Sequence, residues 1–167
     1  MILIGGGSRS GKSAKALELL NEAGARRGFI ATAQVWDEEM RERIERHKTE
    51  RDSGIVTWEE PFSVAERIAN EDGKYDAIVV DCLTLWLTNL MLAETYSLEQ
   101  ESLKLVEACQ KASAKIILVT NEVGCGIVPD NALARRFRDE AGRLNQLSAQ
   151  HAKDVYWMIF GIGMRVK

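Results

Sequence analysis

Gly6-Gly7-Ser8-Arg9-Ser10-Gly11-Lys12-Ser13 is the stretch on which the fold of this chain turns. The octet fits the phosphate-binding pattern G-x-x-x-x-G-K-[ST] without a mismatch. Met1-Ile2-Leu3-Ile4 before it reads as a buried strand, and Ala14-Lys15-Ala16-Leu17-Glu18-Leu19-Leu20 after it reads as a helix. Strand, loop and helix in that order are the setting the pattern requires. Glycines let backbone N–H groups turn inward and approach a phosphate chain closely. The helix starting near Gly11 aims its positive end at the same place. Lys12 can reach the β- and γ-phosphates as a point charge, and the Ser13 hydroxyl is placed to ligate Mg²⁺. Arg9 reads equally well as a further phosphate contact and as a solvated loop cation.

Outward from the loop, short apolar runs alternate with helical stretches. Strands are expected over 2–5, 28–32, 55–58, 75–81, 115–120 and 154–160. Helices are expected over 12–23, 37–51, 61–71, 83–92, 98–112 and 131–150, with a Gly-rich loop over 121–130. The alternation and the motif together predict an α/β, three-layer P-loop NTPase (RecA-like) fold with a mostly parallel central sheet. Ligands of such sheets bind at the C-terminal ends of the strands.

Bulk properties narrow the function. A chain of 167 residues suits one nucleotide-binding domain over 1–167, with a real core. Hydrophobic residues make up 46% and charged residues 28%, an ordinary balance for a globular protein. The net charge of −3 speaks against a general nucleic-acid binder. No apolar run reaches the length of a membrane span, and no secretory leader is visible. Cys82, Cys109 and Cys125 are spaced too irregularly for a disulfide framework or a zinc site, and they read as reduced thiols of a cytoplasmic protein.

Asp81 is the second element of the nucleotide site. Ala77-Ile78-Val79-Val80 runs straight into it, and an acidic residue ending a buried strand can hold Mg²⁺ together with the Ser13 hydroxyl. A helix N-cap is the competing reading, because Leu83-Thr84-Leu85-Trp86 follows closely.

The segment from Asp37 to Arg51 reads as a solvated helix. Glu39 with Arg43, and Glu42 with Arg46, are i,i+4 pairs of favourable orientation. His47 continues the apolar stripe of Met40 and Ile44. On composition alone it is a packed or capping residue near the helix end. Its chemistry allows more. Neutral imidazole attacks phosphorus well, and the phosphoramidate breaks readily once its leaving nitrogen is protonated. Arg43, Arg46, Lys48 and Arg51 would stabilise charge on a transferring phosphate.

With these residues assembled, the chain resembles the bifunctional adenosylcobinamide kinase / adenosylcobinamide-phosphate guanylyltransferase family. The resemblance spans essentially the whole length. It is carried by the octet, Ile30-Ala31-Thr32-Ala33, Arg43-Ile44-Glu45-Arg46-His47-Lys48 and Asp81-Cys82-Leu83-Thr84-Leu85-Trp86-Leu87-Thr88-Asn89. It continues through Thr120-Asn121-Glu122-Val123-Gly124, Gly126-Ile127-Val128-Pro129, Phe137-Arg138-Asp139-Glu140-Ala141-Gly142-Arg143-Leu144-Asn145-Gln146 and the ending from Gly161 to Lys167. The resemblance implies two reactions. A nucleoside triphosphate, GTP or ATP, phosphorylates adenosylcobinamide. GTP then gives GMP to that phosphate through a GMP–histidine intermediate, for which His47 is the matching position. It also implies nucleotide contacts from Ala31, Thr32, Ala33, Gln34 and Val35, from Lys48, Thr49, Glu50 and Arg51, and from Glu59. A small homo-oligomer, a trimer with sites near subunit boundaries, is implied as well. The chain departs from the family pattern at Lys153, Gly163 and Trp58, away from the proposed chemistry except where Trp58 adjoins Glu59.

Two other readings stay open on the residues alone. One is a P-loop kinase of another small hydroxyl compound, with His47 structural. The other is a nucleotide-dependent switch or motor subunit that transfers nothing.

Overall fold

Ile78, Val79 and Val80 have no exposed surface, and neither have Ile116, Ile117 and Leu118. Burial of consecutive residues means that both faces of these strands are covered, which is how a parallel sheet sits between helix layers. The computed structural model describes residues 1–49 and 52–167, and among the helical residues the side chains of 43, 44 and 46–49 lie outside the description.

In chain order the elements are β1 (Ile2–Gly6), α1 (Lys12–Glu22), β2 (Arg27–Ala31), α2 (Glu38–Thr49), β3 (Ile55–Glu59), α3 (Val64–Glu71) and β4 (Ala77–Asp81). Then follow α4 (Leu83–Ala93), α5 (Leu98–Lys111), β5 (Lys115–Val119), α6 (Ala132–His151), β6 (Asp154–Ile159) and β7 (Ile162–Arg165). The sheet order is β3-β2-β4-β5-β1-β6-β7, parallel except for the antiparallel β6–β7 pair. This is the P-loop NTPase α/β fold, with one strand, β5, between the loop-bearing β1 and the acid-bearing β4.

The period of two along each strand divides the core. Leu3, Ile30, Ile78, Val80, Ile116 and Leu118 share one cluster with Leu83, Trp86, Leu90, Leu105 and Leu144 of α4, α5 and α6. Ile2, Ile4, Phe29, Val79, Ile117 and Val119 share the other with Ala16, Leu19 and Leu20 of α1. Each such buried aliphatic side chain contributes about 1.5–3 kcal/mol.

Two expectations change. The helix anticipated from Pro61 begins at Val64, because the Glu60 carboxylate accepts the Ser63 N–H at 3.0 Å and holds a turn ahead of it. The closing strand anticipated to Phe160 stops at Ile159 and turns back as β7. Phe160 and Gly161 both have positive φ, 51° and 81°, and Ile159 pairs with Ile162. That is the two-residue turn whose twist matches a hairpin. Among the described residues no helix is long and apolar enough to cross a membrane.

Candidate active site

The octet leaves β1 at Gly6, where a side chain would not fit. A Cβ there would lie 2.6 Å from the Met158 carbonyl oxygen and 2.8 Å from the Ser10 hydroxyl, at φ +150°. The Gly6 carbonyl accepts the Glu122 N–H at 3.0 Å, and the Ser10 carbonyl accepts the Gly161 N–H at 3.0 Å. The loop is thus clasped between the exit of β5 and the β6–β7 turn. Gly11 is the N-cap of α1 at φ 98°, with no capping side chain, and no acid stands in the first turn. The first N–H groups of a helix have no intrahelical partner, and a helix start with no side-chain cap is the setting that receives an anion.

Lys12 is buried at 7% exposure, and its ammonium donates to the Gly7 carbonyl at 2.5 Å, with the Ser10 hydroxyl at 3.4 Å. The loop therefore wraps its own cation, in position for a bound phosphate. The Ser13 hydroxyl donates to Asp81 Oδ2 at 2.9 Å. Asp81 lies two strands from β1, about 10 Å along the sheet. Ser13 meets it because α1 crosses the intervening β5. Asp81 is not the N-cap of the next helix: Cys82 is, and without a side-chain cap bond. The Asp81–Cys82 peptide bond is cis.

A hydroxyl and a carboxylate 2.9 Å apart are hard oxygen donors of the kind Mg²⁺ takes. Mg²⁺ uses one or two such protein ligands beside substrate phosphates and waters. The donor set fits that ion. Among the described residues no group of three or more His, Cys, Asp and Glu is arranged to hold a metal.

The remaining anticipated residues spread along the same sheet edge. Ala31 ends β2, and Thr32 and Ala33 follow it. Gln34 is half-buried and Val35 is 52% exposed. Thr32 does not offer its side chain to a ligand. It has no exposed surface, and its hydroxyl donates to the Cys82 carbonyl at 2.8 Å and accepts the Cys82 N–H at 2.9 Å. Glu59 ends the outermost strand β3 and is exposed. Four strand spacings separate β3 from β1, about 19 Å of sheet. The structure therefore gathers Gly6 to Ser13 with Asp81, while 31–35 and Glu59 form a second group along the edge.

His47 lies in the last turn of α2. The side chains of His47, Lys48 and Thr49 are outside the description, as are those of Arg43 and Arg46, the partners anticipated for Glu39 and Glu42, and Glu50 and Arg51 lie outside the described residues. The described apolar member of the stripe, Met40, is half-buried, and the helix opens with the Asp37 carboxylate accepting the Met40 N–H at 2.7 Å. His151, exposed at the end of α6, has Nδ1 at 3.0 Å from the Leu147 carbonyl. The three thiols are free. Burial pushes Cys82 up to about 11 and Cys109 up to about 12, so neither is a nucleophile near neutrality.

Residue types alone did not single out a set of buried polar contacts beneath the site. The Asn121 amide donates to the Thr84 hydroxyl at 2.8 Å. The Thr120 hydroxyl donates to Asn145 Oδ1 at 2.7 Å. Asn89 donates to two loop carbonyls. A carboxamide inside the run Leu83–Ala93, whose other polar members are the hydroxyls of Thr84 and Thr88, is a signal that could have pointed to Asn89.

A triphosphate loop joined by one hydrogen bond to a strand-end acid, on a parallel sheet, marks this protein as a P-loop nucleotide-binding enzyme. Residues 2–166 match the family described as cobinamide kinase / cobinamide phosphate guanyltransferase, and the chain belongs to that family. It is therefore a phosphotransferase and a nucleotidyltransferase of cobalamin biosynthesis. It is 41% identical over 181 residues to the bifunctional adenosylcobalamin biosynthesis protein CobU of Salmonella typhimurium, an alignment that covers all of this chain and 99% of the relative. It is 43% identical over 166 residues to the corresponding protein CobP of Pseudomonas aeruginosa, covering 99% of this chain and 96% of the relative. Among solved structures it superposes on the RadB recombinase with a TM-score of 0.51 at 15% identity, over 93% of this chain and 72% of that one. A protein of Pyrococcus horikoshii OT3 gives a TM-score of 0.52 at 10% identity, over 100% and 85%. These two likenesses concern the fold alone.

Proposed function

We propose that the chain, as one domain over 1–167, phosphorylates adenosylcobinamide and then guanylylates the product, with His47 carrying GMP between the two substrates. The observation that carries the phosphate half is the Ser13–Asp81 hydrogen bond beside the buried Lys12. Gly6, Gly7, Ser8, Arg9, Ser10, Gly11, Lys12 and Ser13 hold the triphosphate of GTP or ATP. Ser13 and Asp81 hold Mg²⁺, which neutralises phosphate charge when bound. The backbone N–H groups of the loop and the Lys12 ammonium meet the charge that develops on the transferring phosphoryl group.

The first reaction breaks the bond from the γ-phosphorus to its bridging oxygen and forms one to the substrate hydroxyl. In the second, a His47 ring nitrogen attacks the α-phosphorus of GTP, and pyrophosphate leaves. A phosphate oxygen of adenosylcobinamide phosphate then displaces the histidine, giving adenosylcobinamide-GDP. The groups along the edge, Ala31 to Val35, Lys48 to Arg51 and Glu59, bind the nucleoside and ribose side of GTP in this reading. For Thr32 the contribution is to hold the root of this group, since its side chain is buried and its backbone N–H and carbonyl are bonded to Asp81 and Asn89. The enzyme works in the cytoplasm as a small homo-oligomer, a trimer. Family membership and the names of the two relatives support the pair of activities in this reading.

The test is covalent. Incubation with GTP and Mg²⁺ is expected to add GMP to the wild type in an acid-labile, alkali-stable linkage seen by intact mass, and His47→Ala is expected to lose it. No adduct on the wild type, or an undiminished one on the variant, would sink the histidine route. A kinase of another hydroxyl compound predicts no adduct at all.

A further inference from the structure

Asn89 lies in mid-α4 and is 3% exposed. The helix Leu83–Ala93 is otherwise strongly apolar, so a carboxamide there must find partners or be destabilising. Its Nδ2 donates to the Thr32 carbonyl at 2.8 Å and to the Pro61 carbonyl at 3.0 Å. Both acceptors are backbone oxygens, so only the NH₂ end of the amide can face them. One side chain therefore grips the exits of β2 and β3 from the helix that follows β4.

The grip continues into β4. Thr32 N–H donates to the Asp81 carbonyl at 3.2 Å, the Thr32 hydroxyl holds both backbone groups of Cys82, and Glu60 N–H donates to the Ala31 carbonyl at 2.9 Å. The phosphate loop is fastened by other bonds: Ser13 to Asp81, Glu122 N–H to Gly6, and Gly161 N–H to Ser10. The two halves of the site meet at Asp81, whose carbonyl holds Thr32 and whose carboxylate holds Ser13, and the two Asn89 bonds belong to the nucleoside-side half alone. Loss of the Asn89 bonds removes two of the ties on the roots of the 32–37 and 60–63 segments, beside those made by Thr32, Glu60 and the Trp86 Nε1–H to the Phe62 carbonyl at 2.8 Å, and none of those on the phosphate loop.

We infer that Asn89 is a positioning residue for guanylyl transfer, fixing the roots of the two loops that present the nucleoside-side contacts and lead into the His47 helix. The inference rests on the two-reaction reading above. A residue that merely stabilised the fold would lower both reactions together, because both need the same triphosphate loop.

The experiment measures phosphoryl transfer to adenosylcobinamide, and pyrophosphate release from GTP with adenosylcobinamide phosphate, on the same preparation of Asn89→Leu. Folded fraction cancels in their ratio. Displacing reacting groups by about an ångström can lower a rate by about a hundredfold. The guanylyl-to-phosphoryl ratio is therefore expected to fall about tenfold or more, with phosphoryl transfer within about threefold of wild type. Asn89→Gln, which keeps the two donors, is expected to recover much of the ratio. An unchanged ratio in Asn89→Leu would overturn the inference, and so would an Asn89→Gln ratio no better than that of Asn89→Leu. Wild-type adduct mass, followed in parallel, tests the histidine route separately, because pyrophosphate release reports guanylyl transfer by whatever route it runs.

Discussion

The Ser13 hydroxyl donates to Asp81 Oδ2 across 2.9 Å, joining residues 68 positions apart in sequence and two strands apart in the sheet. Asp81→Asn keeps the shape and removes the charge that would face Mg²⁺. Losing one well-placed electrostatic group of this kind lowers kcat by about 10²–10³-fold. Both activities are expected to fall on that scale, with a raised Mg²⁺ requirement. Steady-state rates of each reaction over a Mg²⁺ titration make the measurement, and a fall confined to one reaction would mean that the two do not share this site.

Lys12 is the cation around which the loop closes, donating to Gly7 at 2.5 Å. In Lys12→Ala the loop keeps its backbone donors but loses the point charge for the β- and γ-phosphates. Phosphoryl and guanylyl transfer are both expected to fall by about a hundredfold or more. Rates of the two reactions on one preparation check this. Guanylyl transfer surviving intact would refute a single shared phosphate site.

How much of this was legible beforehand depends on where the partners lie. The octet and Asp81 could be read because each is a local pattern whose chemistry follows from residue type. Their junction could be foreseen because a Mg²⁺ ligand needs a partner. Thr32 was placed with the nucleotide contacts, yet its hydroxyl is spent on Cys82, 50 positions away. Asn89 stands in the stretch from Asp81 that carries the family resemblance, but its role is hidden in the sequence, because its partners are backbone carbonyls 57 and 28 positions away, which leave no side-chain pattern. The β6–β7 hairpin was obscured because Phe160 occupies a positive-φ position usually filled by Gly, Asn or Asp. Ile162, Met164 and Val166 do alternate with Gly163 and Arg165, a period-two sign of a strand, although all three are exposed in the fold.

Gly6 tests the packing of the loop against the hairpin. In Gly6→Ala the new methyl would sit 2.6 Å from the Met158 carbonyl oxygen, a backbone atom that cannot swing aside, at a φ that L side chains rarely adopt. Strained backbone of this kind costs about 1–3 kcal/mol. For a chain of this size that is a fall in Tm of roughly 3–10 °C. Thermal unfolding with and without GTP is the check. The nucleotide-induced rise in Tm is expected to shrink too, since the displaced backbone is the one that faces phosphate. An unaltered Tm would show that the loop and Met158 are not packed together as described.

Asp72 offers a pH test away from the site. Its carboxylate accepts the Ser113 N–H at 2.7 Å and the Ser113 hydroxyl at 2.8 Å, tying the end of α3 to the turn before β5. The Ser113 hydroxyl first, then the Ser113 N–H, hold its pKa below the ordinary carboxylate value. The unfolded chain, with a value of about 3.9, therefore binds this proton more readily than the folded one. The stability that Asp72 contributes is present in full above that unfolded value and is lost as pH falls through the lower folded value. Asp72→Asn is expected to lower Tm at pH 7, with the difference from wild type narrowing as the solution is acidified below about pH 4. Added salt narrows it less than acid does, because directional hydrogen bonds rather than long-range charge cause the shift. Tm of both proteins between pH 7 and pH 3 decides the matter: a difference that stays constant over the range would mean that Asp72 titrates alike in the folded and unfolded chains.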